Sequence, residues 1–167
     1  MATIANALNA LCLMTDQLSP VLPAIETQPV ILLVEDDPND ALIAERAIKQ
    51  SGIARWIIRL HDGDEAIKYL SGEAPYSDRK ASPLPVLILL DLKMPRVSGF
   101  DVLTWIRERP EVASIPVVVL TGSGLARDRT EAEKLGAVGY EVKPVDFNDL
   151  LDIVENIGTR WLKPAQN

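Results

Sequence analysis

VLILLDLKMPRVSG, residues 86–99, decides the fold. Val86 to Leu90 are apolar without interruption, the run is too short for a helix, and it stops on the carboxylate of Asp91. An apolar run with no alternation belongs to a strand covered on both faces, the mark of a parallel sheet. Ser98-Gly99 then offers an N-cap for a following helix, with Phe100, Leu103 and Ile106 spaced for one buried face. The stretch therefore reads as a strand that delivers an acid to its carboxyl end and returns as a helix.

The same unit recurs on both sides of it. VILLV (30–34), WIIRL (56–60), IPVVVL (115–120) and the weaker AVGYEV (137–142) predict four more strands. Asp37-Pro38 is an N-cap followed by proline at the first helical position, opening a helix to about Gln50 with Gly52 beyond it. Asp62 and Asp64 start a second helix that runs through Leu70. A fourth, near Leu125 to Leu135, is rich in charge and poor in apolar residues. The fifth carries one continuous stripe: Phe147, Leu150, Leu151, Val154, Ile157 and Trp161. Five strands alternating with five helices imply a doubly wound α/β sandwich. SGEAPYSDRKASPL (71–84) is polar and reads as a long surface loop.

Composition bounds the rest. A chain of 167 residues has room for one ordinary domain, and 47% hydrophobic with 25% charged residues suits a packed core. Seventeen basic against twenty-four acidic residues, a net charge of −7, argue against nucleic acid as the partner, which needs clustered Lys and Arg. Cys12 and His61 are the sole cysteine and histidine, which excludes an internal disulfide, a cysteine-based zinc site and a multi-histidine metal site. His61 reads as a surface residue at a helix start. The first 29 residues hold no Lys or Arg. They read as an extension: a short apolar helix near residues 3–14, then a linker with Pro20 and Pro23. No apolar run is long enough to span a bilayer, and the chain reads as cytoplasmic.

In doubly wound folds ligands bind beyond the carboxyl ends of the strands. Here the first strand runs into Glu35, Asp36 and Asp37, with Asp40 a turn later, and the third runs into Asp91. Neighbouring strand-end carboxylates repel unless a cation lies between them, and an all-oxygen set suits Mg²⁺. The fourth strand ends in Thr121-Gly122 and the fifth in Lys143-Pro144, whose peptide bond could be cis. Acids, a hydroxyl and an ammonium at successive strand ends form a phosphoryl-transfer constellation, in which an Asp carboxylate accepts the group. Taken singly, each has a bland reading. Asp37 is an N-cap, Asp40 a solvated first-turn acid on the helix dipole, Asp36 a surface acid and Lys143 an ordinary strand-end base. Asp91, closing a fully apolar run, resists dismissal most.

With these residues in place, VEDDPND (34–40), LLDLKMPRVSG (89–99), VLTGS (119–123) and GYEVKP (139–144), four motifs in order, resemble the response regulator receiver domains of the CheY-like family. HDGDEAI (61–67), the 71–84 loop and Trp161 are similar to the phytochrome-associated single-domain regulators. The resemblance covers residues 30–162 as the receiver domain, with 1–29 as an extension and 163–167 as a tail. It implies a flavodoxin-like (βα)5 sandwich with sheet order 2-1-3-4-5. It also implies phosphorylation of Asp91 by a histidine kinase, with a phytochrome-type photoreceptor kinase as the candidate partner. The Mg²⁺ ligands it implies are the carboxylates of Asp36 and Asp91, the main-chain carbonyl of Lys93, and Glu35 through a water. Thr121 and Lys143 would contact the phosphoryl group, and Tyr140 would be the switch aromatic.

Some positions depart from the commonest pattern: Glu35 stands where Asp is frequent, and Ser98 where Asp is common before Gly99. Lys93, two residues past the acceptor, takes the place of the second Asp that phosphatases of the haloacid-dehalogenase type need. A degenerate receiver acting only as a binding module is disfavoured by the intact Asp36, Asp91, Thr121 and Lys143. The expected protein is thus a phosphoacceptor that takes part only in its own phosphoryl transfer and dephosphorylation, not an enzyme on other substrates. Its output is altered binding to a downstream protein. A homodimer is expected, with the fourth-helix to fifth-helix face carrying either the dimer contact or the switch, because the long apolar stripe of the fifth helix exceeds what one packed element covers.

Overall fold

A computed structural model describes residues 29–162 apart from Arg55. Five strands alternate with five helices: β1 (Val30–Val34), α1 (Pro38–Ser51), β2 (Trp56–Leu60), α2 (Gly63–Ser71), β3 (Leu87–Leu90), α3 (Gly99–Arg107), β4 (Val117–Thr121), α4 (Ala126–Lys134), β5 (Gly139–Val142) and α5 (Phe147–Trp161). The strands form one parallel sheet in the order β2-β1-β3-β4-β5. This is the doubly wound sandwich that the alternation implied, in the flavodoxin-like strand order that the family resemblance implied. The predicted helix near residues 3–14 lies outside the described residues.

The uninterrupted apolar runs have a direct explanation. Ile31, Leu33, Leu87, Leu89, Val118 and Leu120 face α1 and α5, whereas Leu32, Val34, Ile88, Leu90, Val117 and Val119 face α2, α3 and α4. Strand side chains alternate between two faces, and both faces here are core. On the first face α1 presents Ala41, Ala44 and Ala47, small enough to let α5 pack closely beside it.

Helix starts follow the sequence signals. Asp37 Oδ1 accepts from the amides of Asn39 and Asp40, and Asp62 Oδ1 from that of Glu65. Ser98 and Asp101 form a reciprocal capping box. The 71–84 loop is pinned: Arg79 donates to the carbonyls of Tyr69, Leu70 and Ser82, and the Tyr69 hydroxyl donates to that of Pro83.

Two expectations are corrected. The cis peptide bond is Ala74–Pro75, not Lys143–Pro144. The stripe of α5 is largely covered: Leu150, Val154 and Ile157 are buried against the sheet and α1, with Phe147 and Trp161 packed alongside, and Leu151 alone is half-buried outside the core clusters. No described helix is long and apolar enough to cross a membrane.

Candidate functional site

Backbone pairing carries the acids to one edge. The amide of Glu35 donates to Leu60 O at 3.0 Å, and that of Asp91 to Val34 O at 3.0 Å, so the ends of β2, β1 and β3 are locked in step. The Lys143 amide donates to Thr121 O at 2.8 Å and does the same for β4 and β5. Beyond Asp91 the chain folds back so tightly that a methyl group on Gly99 would run into the Asp91 carbonyl oxygen and Leu92 Cα. Only glycine fits there, which explains the position directly after the Ser98 cap.

One carboxylate oxygen from each of Glu35, Asp36 and Asp91 lies within 4.8 Å of the others. Glu35 and Asp91 are buried, and Asp36 is half-buried. Lys143 reaches into this group: Nζ lies 2.6 Å from Glu35 Oε2, 2.8 Å from Asp40 Oδ2 and 3.8 Å from Asp91 Oδ1. Burial pushes the Glu35 carboxyl up to about 7, against the pull of Lys143. Burial opposes the charge on Lys143 as well, but its bonds to Asp40 and Glu35 outweigh that and hold its pKa above the ordinary value.

Asp40 is therefore not the solvated dipole acid its sequence position suggested. It is a half-exposed partner of the Lys143 ammonium, which Glu35 and Asp91 share with it while Asp36 stands beside them. That excess of negative charge, presented through oxygen alone, fits a hard divalent cation. Lys93 is exposed, and its amide donates to Asp91 Oδ2 at 3.0 Å, which sets its backbone against the acid.

Thr121 ends β4 fully buried, and its Oγ1 accepts from the Ser123 amide at 3.4 Å. Ser123 then ties three groups together. Its hydroxyl donates to Asp128 at 2.5 Å, and its carbonyl accepts from the Tyr140 hydroxyl at 2.8 Å. The Arg129 guanidinium lies 4.6 Å over the Tyr140 ring. Tyr140 is buried, and α4, which carries Asp128 and Arg129, has no side-chain cap at its start.

Sequence reasoning named Glu35, Asp36, Asp91, Thr121, Tyr140 and Lys143; the structure brings the three acids and Lys143 together, while Thr121 and Tyr140 both bond to Ser123. It missed the Lys143 bonds to Asp40 and Glu35, and it missed Ser123, Asp128 and Arg129. It also missed two arginines. Arg59 donates to the Glu35 carbonyl, and Arg96, at a φ of 66°, pairs with the α2 cap Asp62.

The response regulator receiver domain family matches residues 31–155. Response regulator Rcp1 of Synechocystis sp. is 38% identical over 134 residues, 80% of this chain and 89% of that protein. A probable methanogenesis regulatory protein, FilR2, of Methanothrix harundinacea is 38% identical over 80% of this chain and 83% of its own length. Among solved structures, the phosphorylated cyanobacterial phytochrome response regulator RcpA superposes with a TM-score of 0.75 at 34% identity, covering 83% of this chain and 97% of that one. The Mn²⁺-bound form of Rcp1 superposes with a TM-score of 0.72 at 37% identity over the same shares.

Proposed function

This chain belongs to the response regulator receiver family, and from that premise we propose that it takes a phosphoryl group onto Asp91 from a histidine kinase. The family works in phosphorylation-dependent two-component signalling. The observation that carries the assignment is the convergence of Glu35, Asp36 and Asp91 within 4.8 Å, with Lys143 Nζ 3.8 Å from Asp91. Three of the similar structures are of phytochrome or bacteriophytochrome response regulators, RcpA, RtBRR and AtBRR, which makes a phytochrome-type photoreceptor kinase the donor we favour.

In the transfer an Asp91 carboxylate oxygen attacks phosphorus, and the P–N bond to the donor imidazole breaks. The electron pair stays on that nitrogen, and Asp91 is left as an acyl phosphate. Asp36 and Asp91 carboxylates, the Lys93 carbonyl and Glu35 through a water would hold Mg²⁺, which when bound offsets charge on the transferring group. That Rcp1 has a Mn²⁺-bound form, together with the acidic cluster here, supports a divalent ion. Lys143 turns from Glu35 and Asp40 toward the phosphoryl oxygens, because a doubly charged group carried on Asp91, whose Oδ1 lies 3.8 Å from Nζ, competes for its ammonium. The Thr121 hydroxyl binds a further oxygen, and the movement reaches Tyr140 through Ser123, altering the surface offered to a downstream protein.

A homodimer through α4, β5 and α5 belongs to this reading. The support is apolar exposure around this face: Leu125 at the start of α4, Val138 just before β5 and Val142 at its end are 46%, 39% and 37% exposed. Sedimentation velocity with and without beryllofluoride tests it, and a single monomer peak in both states at high micromolar protein would refute it.

The phosphoryl assignment is tested by mass spectrometry after incubation with acetyl phosphate, with and without Mg²⁺. Incorporation should need the metal, vanish in Asp91→Ala and survive in Asp37→Ala. Phosphate retained by Asp91→Ala would overturn it.

A further inference from the structure

Asp40 is a charged neighbour of the phosphoryl site that the transfer itself does not use. It stands outside the set of Glu35, Asp36 and Asp91 that converges within 4.8 Å. Among the described residues its carboxylate has one ion-pair partner, Lys143 Nζ at 2.8 Å. Helix geometry fixes its place. Asp40 lies in the first turn of α1, and its amide donates to the Asp37 cap at 3.0 Å, so the acid reaches Lys143 from a rigid element.

The ammonium of Lys143 is bonded to Glu35 at 2.6 Å and to Asp40 at 2.8 Å, while Asp91 at 3.8 Å lies beyond hydrogen-bond range. To close on a phosphoryl oxygen carried by Asp91, Lys143 has to stretch or break those two bonds. The two acids release it on different terms. The Glu35 side chain is 3% exposed, so losing the ammonium strands a buried carboxylate, unless a cation held with Asp36 and Asp91 takes over its charge. The Asp40 side chain is 46% exposed and lines a cavity of about 210 Å³ shared with Lys143, Pro144 and Phe147. Water solvates it once Lys143 leaves, but an ion among the other acids leaves its charge uncompensated. With that ion bound, Asp40 is the acid still competing for Lys143.

We propose that Asp40 is a positioning residue: it holds the Lys143 ammonium on the α1 side, away from Asp91, and so sets how tightly the site grips a phosphoryl group. The inference rests on the reading of Asp91 as the phosphoacceptor. It adds a restraint to that reading, since the phosphoryl oxygens must win Lys143 from Asp40 before the site closes.

The test titrates the full-length chain with beryllofluoride in saturating Mg²⁺, followed by the amide signal of Thr121. Asp40→Asn, which keeps the shape and removes the charge, should lower the half-saturating concentration about threefold to tenfold, the worth of one half-exposed charged bond. Asp40→Glu keeps the competing charge within reach and should stay near wild type. In a Lys143→Ala background the effect of Asp40→Asn should vanish, because Asp40 acts through that ammonium. An equal gain in that background would overturn the proposal in favour of plain repulsion between Asp40 and the incoming anion. Should Lys143→Ala bind too weakly to titrate, the ammonium is watched directly. In free Asp40→Asn the side-chain Cε–Nζ signal of Lys143 must move from its wild-type position toward the beryllofluoride-bound one, and an unmoved signal would overturn the proposal. Wild type that binds while Asp40→Asn shows unchanged half-saturation would refute this restraint alone. Wild type that takes no beryllofluoride would refute the phosphoacceptor reading, and the restraint with it.

Discussion

α4 and α5 follow consecutive strands, yet they are held in opposite ways. α5 is fifteen residues long, starts on the Asp146 side chain, and buries Leu150, Val154 and Ile157 against α1 and the sheet. At its first turn the guanidinium of Arg46, from α1, lies 4.8 Å over Phe147. α4 is nine residues long, has no side-chain cap and buries Ala132 alone. What holds its first turn is polar: Asp128 to the Ser123 hydroxyl, and Arg129 over Tyr140. Apolar burial is non-directional and tolerates no half-open state, whereas two polar links can exchange partners at small cost. On the proposed reading, the helix tied to Ser123 and Tyr140 is the one expected to move, with α5 as the frame it moves against.

The largest expected effect lies on the frame. Ile157→Ala removes a side chain that is 2% exposed and should cost about 2–5 kcal/mol in denaturant unfolding. Its neighbour makes the same point by overpacking, since a methyl at Gly158 would strike the Ile53 side chain. A cost under about 1 kcal/mol for Ile157→Ala would mean that α5 is as loosely held as α4, and the contrast would fail.

Hydrogen exchange comes next in size. The central amides of α5 should exchange only through global unfolding, and those of α4 through local opening at a clearly faster rate. Equal protection of the two helices would break the comparison without any substitution.

These two helices also show what the sequence could disclose. Both faces of every central strand are core, so Val30–Val34 and Leu87–Leu90 stood out as solid apolar runs, and the α5 stripe was equally plain. β5 was weaker because it is an edge strand with Val142 exposed. The acids at the strand ends could be read because a parallel sheet puts all such ends on one side. The partners of Lys143 could not, since Glu35 stands 108 positions away and Asp40 103, and first-turn acids are common without a partner. Nor does a charge-rich nine-residue helix announce that Arg129 covers an aromatic ring.

A third effect is smaller and specific to the link. Arg129→Ala should cost about 0.5–1 kcal/mol in stability, the worth of an exposed cation–π contact. The beryllofluoride-induced NMR shifts should shrink along α4 while those at Thr121 persist. Undiminished shifts along α4 would show that Arg129 carries none of the coupling.

The smallest expected effect is on the tyrosines, and it separates a loosened link from a detached helix. All three phenols, Tyr69, Tyr76 and Tyr140, sit above the ordinary value of 10. Tyr76 is pushed up to about 12, chiefly because its hydroxyl donates to Glu65 at 2.6 Å. That bond contributes in full below pH 10 and is lost as pH climbs through about 12, since the folded value lies above the unfolded one. Tyr140 is raised mainly by burial, and the Arg129 cation pulls partly the other way. Taking that cation away with Arg129→Ala should make Tyr140 ionise slightly later, provided the ring stays buried behind α4. A spectrophotometric titration of wild type and variant, each compared with its Tyr140→Phe counterpart, isolates this phenol. If Tyr140 ionised earlier in the variant, water would have reached the ring. Arg129 would then be holding α4 in place as well as linking it to Tyr140, and the frame supplied by α5 would not be enough to keep the switch closed.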